Sequence, residues 1–345
     1  MISTMYKKGV SVIVCCFNSE LRIRHTLKAL SIQAFYTRID WELILVDNAS
    51  RDNTASIARS TWEEFKNSIP LTIVYEAEPG LVFARKRGIL EARYDRILFC
   101  DDDNWLSPGY IQQAYQVFEK DEAIAACGGK GYPVFESARP SWFPKYAEAY
   151  ATGSQAMNKE KGTVTNLYGA GLVIRKNILM DLYNSPFTSY MKGRTGTALS
   201  SSEDTELTYT FVLMGYKLHY SDELSFFHYL PKERLTLVYL SKLFTSFGQD
   251  GPIRNLYYSR ISQRPIHRFM GNWNIHFAVS IFRFIKYFLV PPKKNGRKIY
   301  LRWNIAYLQS LFLLKGSFGK IRNDINRLKQ RPRPAPVSGA HKQFS

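Results

Sequence analysis

Three consecutive carboxylates, Asp101, Asp102 and Asp103, follow an apolar run of strand length at residues 97–100. Adjacent carboxylates repel one another unless a cation joins them. A hard divalent ion such as Mg²⁺ or Mn²⁺ takes carboxylate oxygens and usually shares itself with the phosphates of a substrate. The triplet therefore predicts a metal site of this kind or, as the plain alternative, a solvated acidic turn.

A second acidic pair, Glu203 and Asp204, precedes a helix predicted to begin at Thr205. The helix dipole favours acidic side chains at a helix start, which is the simple explanation for the pair. Taken with the triplet, the pair suggests a division of roles. The triplet holds a metal and a diphosphate, and the pair supplies a general base.

These carboxylates need a scaffold, and strand-length apolar runs alternate with helical patterns over the first hundred residues. The predicted strands are residues 10–17, 41–46, 71–75 and 97–100. The alternation predicts an α/β fold with a mainly parallel sheet flanked by helices. Ligands of such sheets bind beyond the carboxyl ends of the strands, where the triplet lies. After the triplet, a helix is predicted with Ser107 as its cap and Pro108 in its first turn.

The patterns after this point are weaker. Residues 127–165 are rich in Gly, Pro and aromatic side chains, which predicts a long loop region. The elements predicted after it are strands at 167–174 and 216–220 and helices at 205–214 and 235–247. Gly215 and Gly248 are predicted to end the two helices.

The charge is distributed unevenly over the 345 residues. Residues 251–345 hold 19 Lys and Arg side chains and a single acid, Asp324, so this segment accounts for the whole net charge of +18. A strongly basic segment indicates a nucleic acid or anionic membrane partner. We therefore expect a catalytic domain over 1–250, a basic aromatic helical region for membrane association over 251–320, and a disordered Pro-containing tail over 321–345.

Two apolar stretches, residues 273–290 and 299–314, dominate the basic region. Arg283 and Lys286 interrupt the first stretch, and each charge costs about 2.5–3.5 kcal/mol at the centre of a bilayer. Amphipathic helices in the headgroup region are therefore favoured over spanning helices. The alternative is a helical pair packed on the catalytic body.

The cysteines and the first strand bear on the compartment. Cys15, Cys16, Cys100 and Cys127 form no C-x-x-C pair, which predicts free thiols in a reducing compartment. The apolar run at 10–17 is too short for the core of a signal peptide and is expected to be a buried strand.

Five motifs in order resemble those of family 2 glycosyltransferases with the GT-A fold, of the bacterial envelope or polysaccharide type. They are Phe17-Asn18, Asp47-Asn48-Ala49-Ser50-Arg51-Asp52, residues 80–85, the triplet 101–103, and Glu203-Asp204 with Gly215-Tyr216. The resemblance covers roughly residues 9–235. Cys15, Lys86 and Ser202 depart from the residues usual in the family, but none of these departures removes a catalytic carboxylate.

The resemblance implies roles for the donor side of the site. Nucleotide-binding roles fall to Phe17, Asn18, Asp47, Ser50, Arg85 and Asp102. Among these, Asp47 is expected at the nucleobase edge, Arg85 near the base or the diphosphate, and Asp102 at the ribose. Asp101 and Asp103 would hold Mn²⁺ or Mg²⁺.

The resemblance also implies roles for the acceptor side. Asp204 would deprotonate the acceptor hydroxyl, and Glu203 would orient it or contact the acceptor. His228 is a candidate third metal ligand, with a structural histidine as the alternative. Arg234 could pair with diphosphate, and it is assigned with Trp142 to acceptor binding, although local packing is the simpler explanation for Trp142.

The expected activity is metal-dependent transfer of a sugar, with inversion, from a nucleoside-diphosphate sugar, with UDP favoured. The acceptor would be a hydroxyl of a glycan or lipid-linked molecule at the cytoplasmic face of the cell membrane. The alternative is a non-catalytic nucleotide-sugar or nucleic-acid binding protein. Nucleic acid is disfavoured because no binding motif accompanies the charge. A sugar-nucleotide pyrophosphorylase should carry a Gly-rich loop near its N-terminus. It is disfavoured because residues 9–25 contain a single glycine, Gly9.

Overall fold

A computed structural model describes residues 6–155, 164–191, 193, 202–262, 269–289 and 296–328 of the protein. The strands are β1 (Lys7–Cys16), β2 (Trp41–Asn48), β3 (Leu71–Glu76), β4 (Tyr94–Asp101), β5 (Asn104–Leu106), β6 (Ile124–Phe135), β7 (Val173–Arg175) and β8 (Lys217–Leu230). The helices of the body are α1 (Ile23–Ser31), α2 (Thr54–Glu64), α3 (Leu81–Glu91), α4 (Tyr110–Lys120), α5 (Lys176–Tyr183) and α6 (Glu203–Leu213). The later helices are α7 (Leu237–Ile261), α8 (Trp273–Leu289), α9 (Arg297–Leu313) and α10 (Phe318–Leu328).

The strands form one sheet in the order β3-β2-β1-β4-β7-β6-β8-β5. Strands β1 to β4 pair in parallel, and so do β6 and β8. Strand β7 runs antiparallel to β4 and β6, and β5 runs antiparallel to β8. The predicted mainly parallel α/β fold is confirmed.

Strand β1 lies inside the sheet, and its sequence shows why. Val10, Val12, Ile13 and Val14 are all fully buried. Val12 and Val14 belong to one core cluster, while Ile13 belongs to the cluster on the other face. Helices cover both faces of a parallel sheet, so its strands are apolar without alternation. This arrangement fixes the strand whose carboxyl end meets the aspartate triplet.

The segment after the triplet differs from the prediction. Residues 104–106 form the short strand β5, and α4 begins at Tyr110 with Gly109 as its N-cap, at a φ of +84°. The prediction that Ser107 caps this helix is wrong. Ser107 instead begins a turn in which its carbonyl oxygen accepts from the Tyr110 N–H at 3.1 Å.

The prediction of a long loop over 127–165 is also wrong. Residues 124–135 form β6, which pairs with β7 and β8, and Phe143–Tyr150 form a 3₁₀ helix. A Cβ on Gly129 would overlap the Leu224 backbone. The glycines therefore serve a close approach of two strands rather than a turn.

Two predicted strands and one predicted helix have different bounds. The strand expected at 167–174 is reduced to Val173–Arg175, and the strand expected at 216–220 extends to Leu230. Helix α7 continues through Gly248 to Ile261, so the predicted end at Gly248 is wrong. A Cβ on Gly248 would overlap the carbonyl oxygen of Trp303, so this glycine allows α7 and α9 to pack closely.

The C-terminal helices pack on the body through α6. Tyr209 of α6, Tyr257 of α7, Tyr307 of α9 and Ile321 of α10 belong to one core cluster. The expected boundary at residue 250 falls inside α7, and the tail expected from 321 begins as the ordered helix α10. The residues after 328 lie outside the described part. Among the described residues, no helix is long and apolar enough to cross a membrane.

Candidate active site

The aspartate triplet lies where the carboxyl end of β4 turns into β5. Asp101 ends β4. Strand β5 pairs with β8 in a register that sets Asn104 opposite His228, and the Asp103 carbonyl oxygen accepts from the Tyr229 N–H at 2.9 Å. The pairing therefore brings His228 to the triplet, with 3.6 Å between His228 Nε2 and Asp103 Oδ2.

Asp103 is 4% exposed and has partners on both oxygens. Arg234 Nη1 donates to Oδ2 at 2.8 Å, and Asn104 Nδ2 donates to Oδ1 at 2.9 Å. His228 Nδ1 lies 2.8 Å from the carbonyl oxygen of Tyr150. Because a carbonyl oxygen only accepts, Nδ1 donates this hydrogen bond, and Nε2 faces Asp103 and Arg234.

Asp102 is paired within the protein. Arg22 Nη2 donates to Asp102 Oδ2 at 2.7 Å, and the Ser19 hydroxyl donates to the same oxygen. Burial raises the pKa of Asp102, and the neighbouring Asp103 carboxylate raises it further. Sequence reasoning missed Arg22. Its position four residues after Asn18 was the available signal, but no local pattern indicates a contact with Asp102, which lies 80 residues away.

Arg85 joins the two acidic clusters. Its guanidinium donates to Asp204 Oδ1, lies 3.5 Å from Glu203 Oε1 and 3.9 Å from Asp101 Oδ1, and stacks on the Phe99 ring at 4.8 Å. Burial acts to lower the pKa of Arg85, but the Asp204, Glu203 and Asp101 carboxylates outweigh it and hold that pKa above its usual value. Arg85 is thus a fixed cation that holds the two clusters at one site.

Asp204 also has a backbone constraint. A Cβ on Gly169 would overlap the Asp204 carboxylate. The loop before β7 therefore needs glycine at position 169, because any side chain there would displace the Asp204 carboxylate. In the sequence Gly169 only interrupts the predicted strand at 167–174, so its contact with Asp204 could not be predicted.

The predicted nucleotide-binding residues on β1 and β2 form a network of their own. The Asn18 N–H donates to Ser50 Oγ at 3.0 Å, and the Ser50 N–H donates to Asp47 Oδ1 at 3.2 Å. Asn18 adopts a φ of +49°, which Asn tolerates better than most residues. The network ties the carboxyl ends of β1 and β2 together beside the exposed ring of Phe17.

One cavity of about 910 Å³ lies at these strand ends. The predicted site residues that line it are Phe17, Arg85, Asp101, Asp102, Asp103, Asp204, His228 and Arg234. Asn18, Asp47, Ser50, Glu203 and Trp142 are not among the described residues of its lining. Trp142 instead packs on the rings of Phe143, Tyr146 and Tyr150. We call this space the strand-end cavity.

The far side of the strand-end cavity was not predicted. Its rings are Tyr146, Tyr150, Tyr239, Phe244, Phe247 and Tyr300. Lys145 and Arg254 line the same cavity. We call these rings and two cations the aromatic half. They come from the 3₁₀ helix, α7 and α9, and sequence patterns do not show that these three elements meet.

A divalent metal fits the cavity only if the protein and a substrate share its coordination. Among the described residues, no three His, Cys, Asp or Glu side chains form a group that could hold a metal ion. Mg²⁺ is commonly held by one or two carboxylates together with substrate phosphates. Asp101 and Asp103, with His228 beside Asp103, supply a donor set of that kind.

The fold is of the α/β class, with both acidic clusters at the strand ends of a mainly parallel sheet, and comparison with known proteins shows its family. The model of glycosyl transferase family 2 matches residues 11–183, half of the chain. The chain therefore belongs to glycosyl transferase family 2. The matched range contains β1 to β4, α3 and the aspartate triplet.

Relatives and solved structures extend this comparison. EpsH of Bacillus subtilis (strain 168) is 30% identical over 123 residues, which is 36% of this chain and 34% of EpsH. The cholesterol galactosyltransferase of Borreliella burgdorferi is 28% identical over 189 residues, 52% of this chain and 48% of that protein. The chain thus spans between a third and a half of these relatives. The crystal structure of S. aureus TarS 1-349 in complex with UDP-GlcNAc has a TM-score of 0.50 at 16% identity, covering 93% of this chain and 89% of TarS 1-349. It shows that the two proteins share a fold.

Proposed function

We propose that the protein transfers a sugar, with inversion and with a divalent metal, from a nucleoside-diphosphate sugar to a hydroxyl of a glycan or lipid-linked acceptor. The observation that carries the proposal is that one cavity is lined by both acidic clusters, the triplet and Asp204, with Arg85 between them. The non-catalytic alternative is disfavoured because Asp101, Asp103 and Asp204 all line this cavity. A UDP-sugar is favoured as the donor by the family resemblance.

The proposed step is a single displacement at the anomeric carbon. The acceptor oxygen bonds to that carbon, the bond to the diphosphate oxygen breaks, and Asp204 takes the acceptor proton. Arg85 holds the Asp204 carboxylate in place through its hydrogen bond. Because attack and departure occur on opposite sides of the anomeric carbon, the configuration inverts.

The triplet serves the departing diphosphate. When bound to Asp101 and Asp103, Mn²⁺ or Mg²⁺ would neutralise charge on the leaving group. Arg234 already donates to Asp103 at 2.8 Å, and its planar guanidinium also suits a phosphate. Arg22 holds Asp102 in place through Oδ2, and we assign the other carboxylate oxygen of Asp102 to the ribose.

The test is release of nucleotide from UDP-, GDP- and TDP-sugars, with Mn²⁺, Mg²⁺ or EDTA. One donor should turn over with metal, and Asp103→Asn and Asp204→Asn should each lower the rate by about a hundredfold or more. Asp40→Asn is the control, since its side chain is exposed and it does not line the cavity among the described residues. Failure of every donor to release nucleotide, together with no metal-dependent nucleotide binding, contradicts the proposal. Retention at the anomeric carbon, seen by NMR of the product, contradicts the single displacement.

We further propose that the protein works at the cytoplasmic face of the cell membrane, where α8 docks on an anionic bilayer. Helix α8 buries the polar side chains of His276 and Ser280 and no apolar side chain. Its exposed apolar residues are Ile275, Val279, Ile281, Phe282, Ile285, Phe288 and Leu289. Phe282 is 71% exposed. An apolar face of this size on a helix marks an interaction surface.

Charge selects the bilayer as the occupant of this face. Lys286, Arg297, Lys298 and Arg302 are exposed on α8 and α9, and Asp324 is the only acid after residue 250. Each Lys or Arg near an anionic surface contributes about 1 kcal/mol. The relative from Borreliella burgdorferi, whose name gives cholesterol as acceptor, supports a lipid acceptor.

Flotation of the full chain with vesicles tests this docking. Phosphatidylcholine vesicles should bind the protein only when phosphatidylglycerol is added, and about 0.5 M salt should weaken binding. Phe282→Asp should lower binding about tenfold or more. It removes an aromatic ring that the docked protein would bury in the bilayer, and it adds a carboxylate that the anionic lipids repel. Tyr36→Asp is the control, at 82% exposure in the loop between α1 and β2. Equal binding of Phe282→Asp and wild type, or self-association of the protein in place of vesicle binding, contradicts the docking.

A further inference from the structure

The cations of the strand-end cavity fall into two groups. Near the triplet, each arginine has a carboxylate partner, as the Arg22–Asp102 and Arg234–Asp103 distances of 2.7 and 2.8 Å show. In the aromatic half, by contrast, neither Lys145 nor Arg254 has a carboxylate within 4 Å among the residues that the structure describes. Two cations without protein counterions facing one cavity indicate an anionic ligand.

The surroundings of Lys145 hold its charge toward the cavity. Its Nζ lies 5.4 Å from the centroid of the Tyr146 ring and 5.8 Å from that of Tyr300. These contacts leave the three N–H donors of the ammonium available to a ligand. Glu148, the one acid of this half, is exposed and does not form an ion pair with Lys145 within the described residues.

Arg254 approaches the cavity from another element. It lies on α7, near Tyr209 and Tyr307. Burial raises the pKa values of both tyrosines, and the charge of Arg254 offsets part of that rise. The cavity therefore presents one cation from the 3₁₀ helix and one from α7, with aromatic rings around them. Rings bind sugar faces, and two cations on separate elements suit a group that offers several anionic oxygens at once.

We propose that the aromatic half is the acceptor subsite and that it takes a phosphate-bearing acceptor, held by Lys145 and Arg254. The inference rests on the proposed transfer reaction and adds the chemical class of the acceptor. A phosphodiester of a polymer backbone and the pyrophosphate of a lipid-linked sugar share this chemistry. The aromatic half also borders α8, because Tyr300 stacks on Tyr287 at 5.9 Å.

The test measures binding of defined probes to the full chain with the donor side saturated by nucleoside diphosphate and Mn²⁺. The probes are an oligomer of glycerol phosphate, a short-chain alkyl pyrophosphate sugar, the same alkyl sugar without phosphate, and an alkyl glucuronide as a carboxylate anion. At least one phosphate probe should bind more tightly than the other two. Lys145→Met and Arg254→Met should each weaken that binding about tenfold or more, as expected for loss of one charge-assisted contact.

The control is Lys242→Met, an exposed cation on α7 that does not line the cavity. It should bind every probe as the wild type does. Preference for the oligomer assigns a polymer backbone as the acceptor, and preference for the alkyl pyrophosphate assigns a lipid-linked sugar. The inference is overturned if no phosphate probe binds, if the glucuronide binds as tightly, or if the two variants bind like Lys242→Met.

Donor turnover separates this inference from the proposed function. Nucleotide release without acceptor is measured on the wild type, with Lys242→Met as the control, which should release nucleotide at the wild-type rate. Loss of donor turnover in the wild type with intact probe binding would refute the transfer reaction and leave the anion subsite. Normal turnover with no phosphate preference would refute the subsite alone.

Discussion

Glu206→Ala should be one of the most destabilising single changes in the protein. Glu206 lies on α6 with Asp204 and is 1% exposed. Its carboxylate accepts from the N–H groups of Tyr190 and Met191 at 2.9 and 3.0 Å, and from the Tyr257 hydroxyl at 3.0 Å. The Ser189 hydroxyl donates to it as well. One side chain thus ties the segment before residue 192 and helix α7 to the helix that carries Asp204.

The magnitude follows from the donors left without an acceptor. Ser189 retains a second acceptor in the Met191 carbonyl oxygen at 3.1 Å, so three donors lose their partner. Each buried unsatisfied donor costs about 1–3 kcal/mol. Water entering the vacated polar space satisfies part of this demand. We therefore expect a loss of about 3–5 kcal/mol in the free energy of unfolding, out of the roughly 5–15 kcal/mol typical of a folded protein.

Urea unfolding, followed by tryptophan fluorescence, measures this loss. Glu91→Ala is the matched control, because Glu91 makes an exposed (i, i+4) pair with Arg87 at 2.8 Å and such pairs contribute about 0.3–0.5 kcal/mol. A loss below about 1 kcal/mol in Glu206→Ala would show that the three donors find other acceptors. That result would refute the view that Glu206 is what joins α7 to α6.

Three further predictions concern the same region. Gly169→Ala should lower donor turnover about tenfold or more, since the added Cβ overlaps the Asp204 carboxylate, and steady-state kinetics measures it. Arg85→Lys should lower turnover by a similar factor, because an ammonium lacks the fork whose two nitrogens reach Asp204 and Asp101. Burial raises the pKa of Glu206, so protonation of the folded state is favoured. Relative to Glu206→Gln, wild-type stability should therefore fall by up to about 1.4 kcal/mol per pH unit as the pH rises from about 4.5 through that raised pKa.

Each of these has a control. Gly316→Ala should leave turnover unchanged, because no atom lies within 4 Å of its added Cβ. Arg87→Lys, on the exposed side of α3, should also leave turnover unchanged. Urea midpoints at several pH values test the last prediction, and wild-type stability that rises relative to Glu206→Gln over this range would contradict it.

The first four strands and the aspartate triplet could be predicted because their information is local. A strand buried on both faces, such as β1, is apolar along its length. The carboxyl end of each strand then places the following polar residues at one edge of the sheet. No knowledge of distant contacts was needed for Asp101 or Asp103.

Strand β6 and the length of α7 could not be predicted because their glycines answer to distant partners. Gly129 accommodates the backbone of Leu224, and Gly248 accommodates the Trp303 carbonyl. In the sequence both resemble breakers, since glycine in a turn and glycine at a close approach have the same local pattern. The aromatic half was missed for the same reason, because it forms only where α7 and α9 meet the 3₁₀ helix.

The triplet shows the limit most clearly. Its charge predicted a cation, and the structure supplies three arginines, with Arg22 at Asp102, Arg234 at Asp103 and Arg85 closest to Asp101. Arg22 lies 80 residues before Asp102, Arg234 lies 131 residues after Asp103, and Arg85 lies on helix α3. A guanidinium that neutralises a carboxylate can also bind a phosphate oxygen. The arginines therefore stabilise the acids and present donors to a diphosphate, so the protein's own cations balance the repulsion that made the triplet conspicuous.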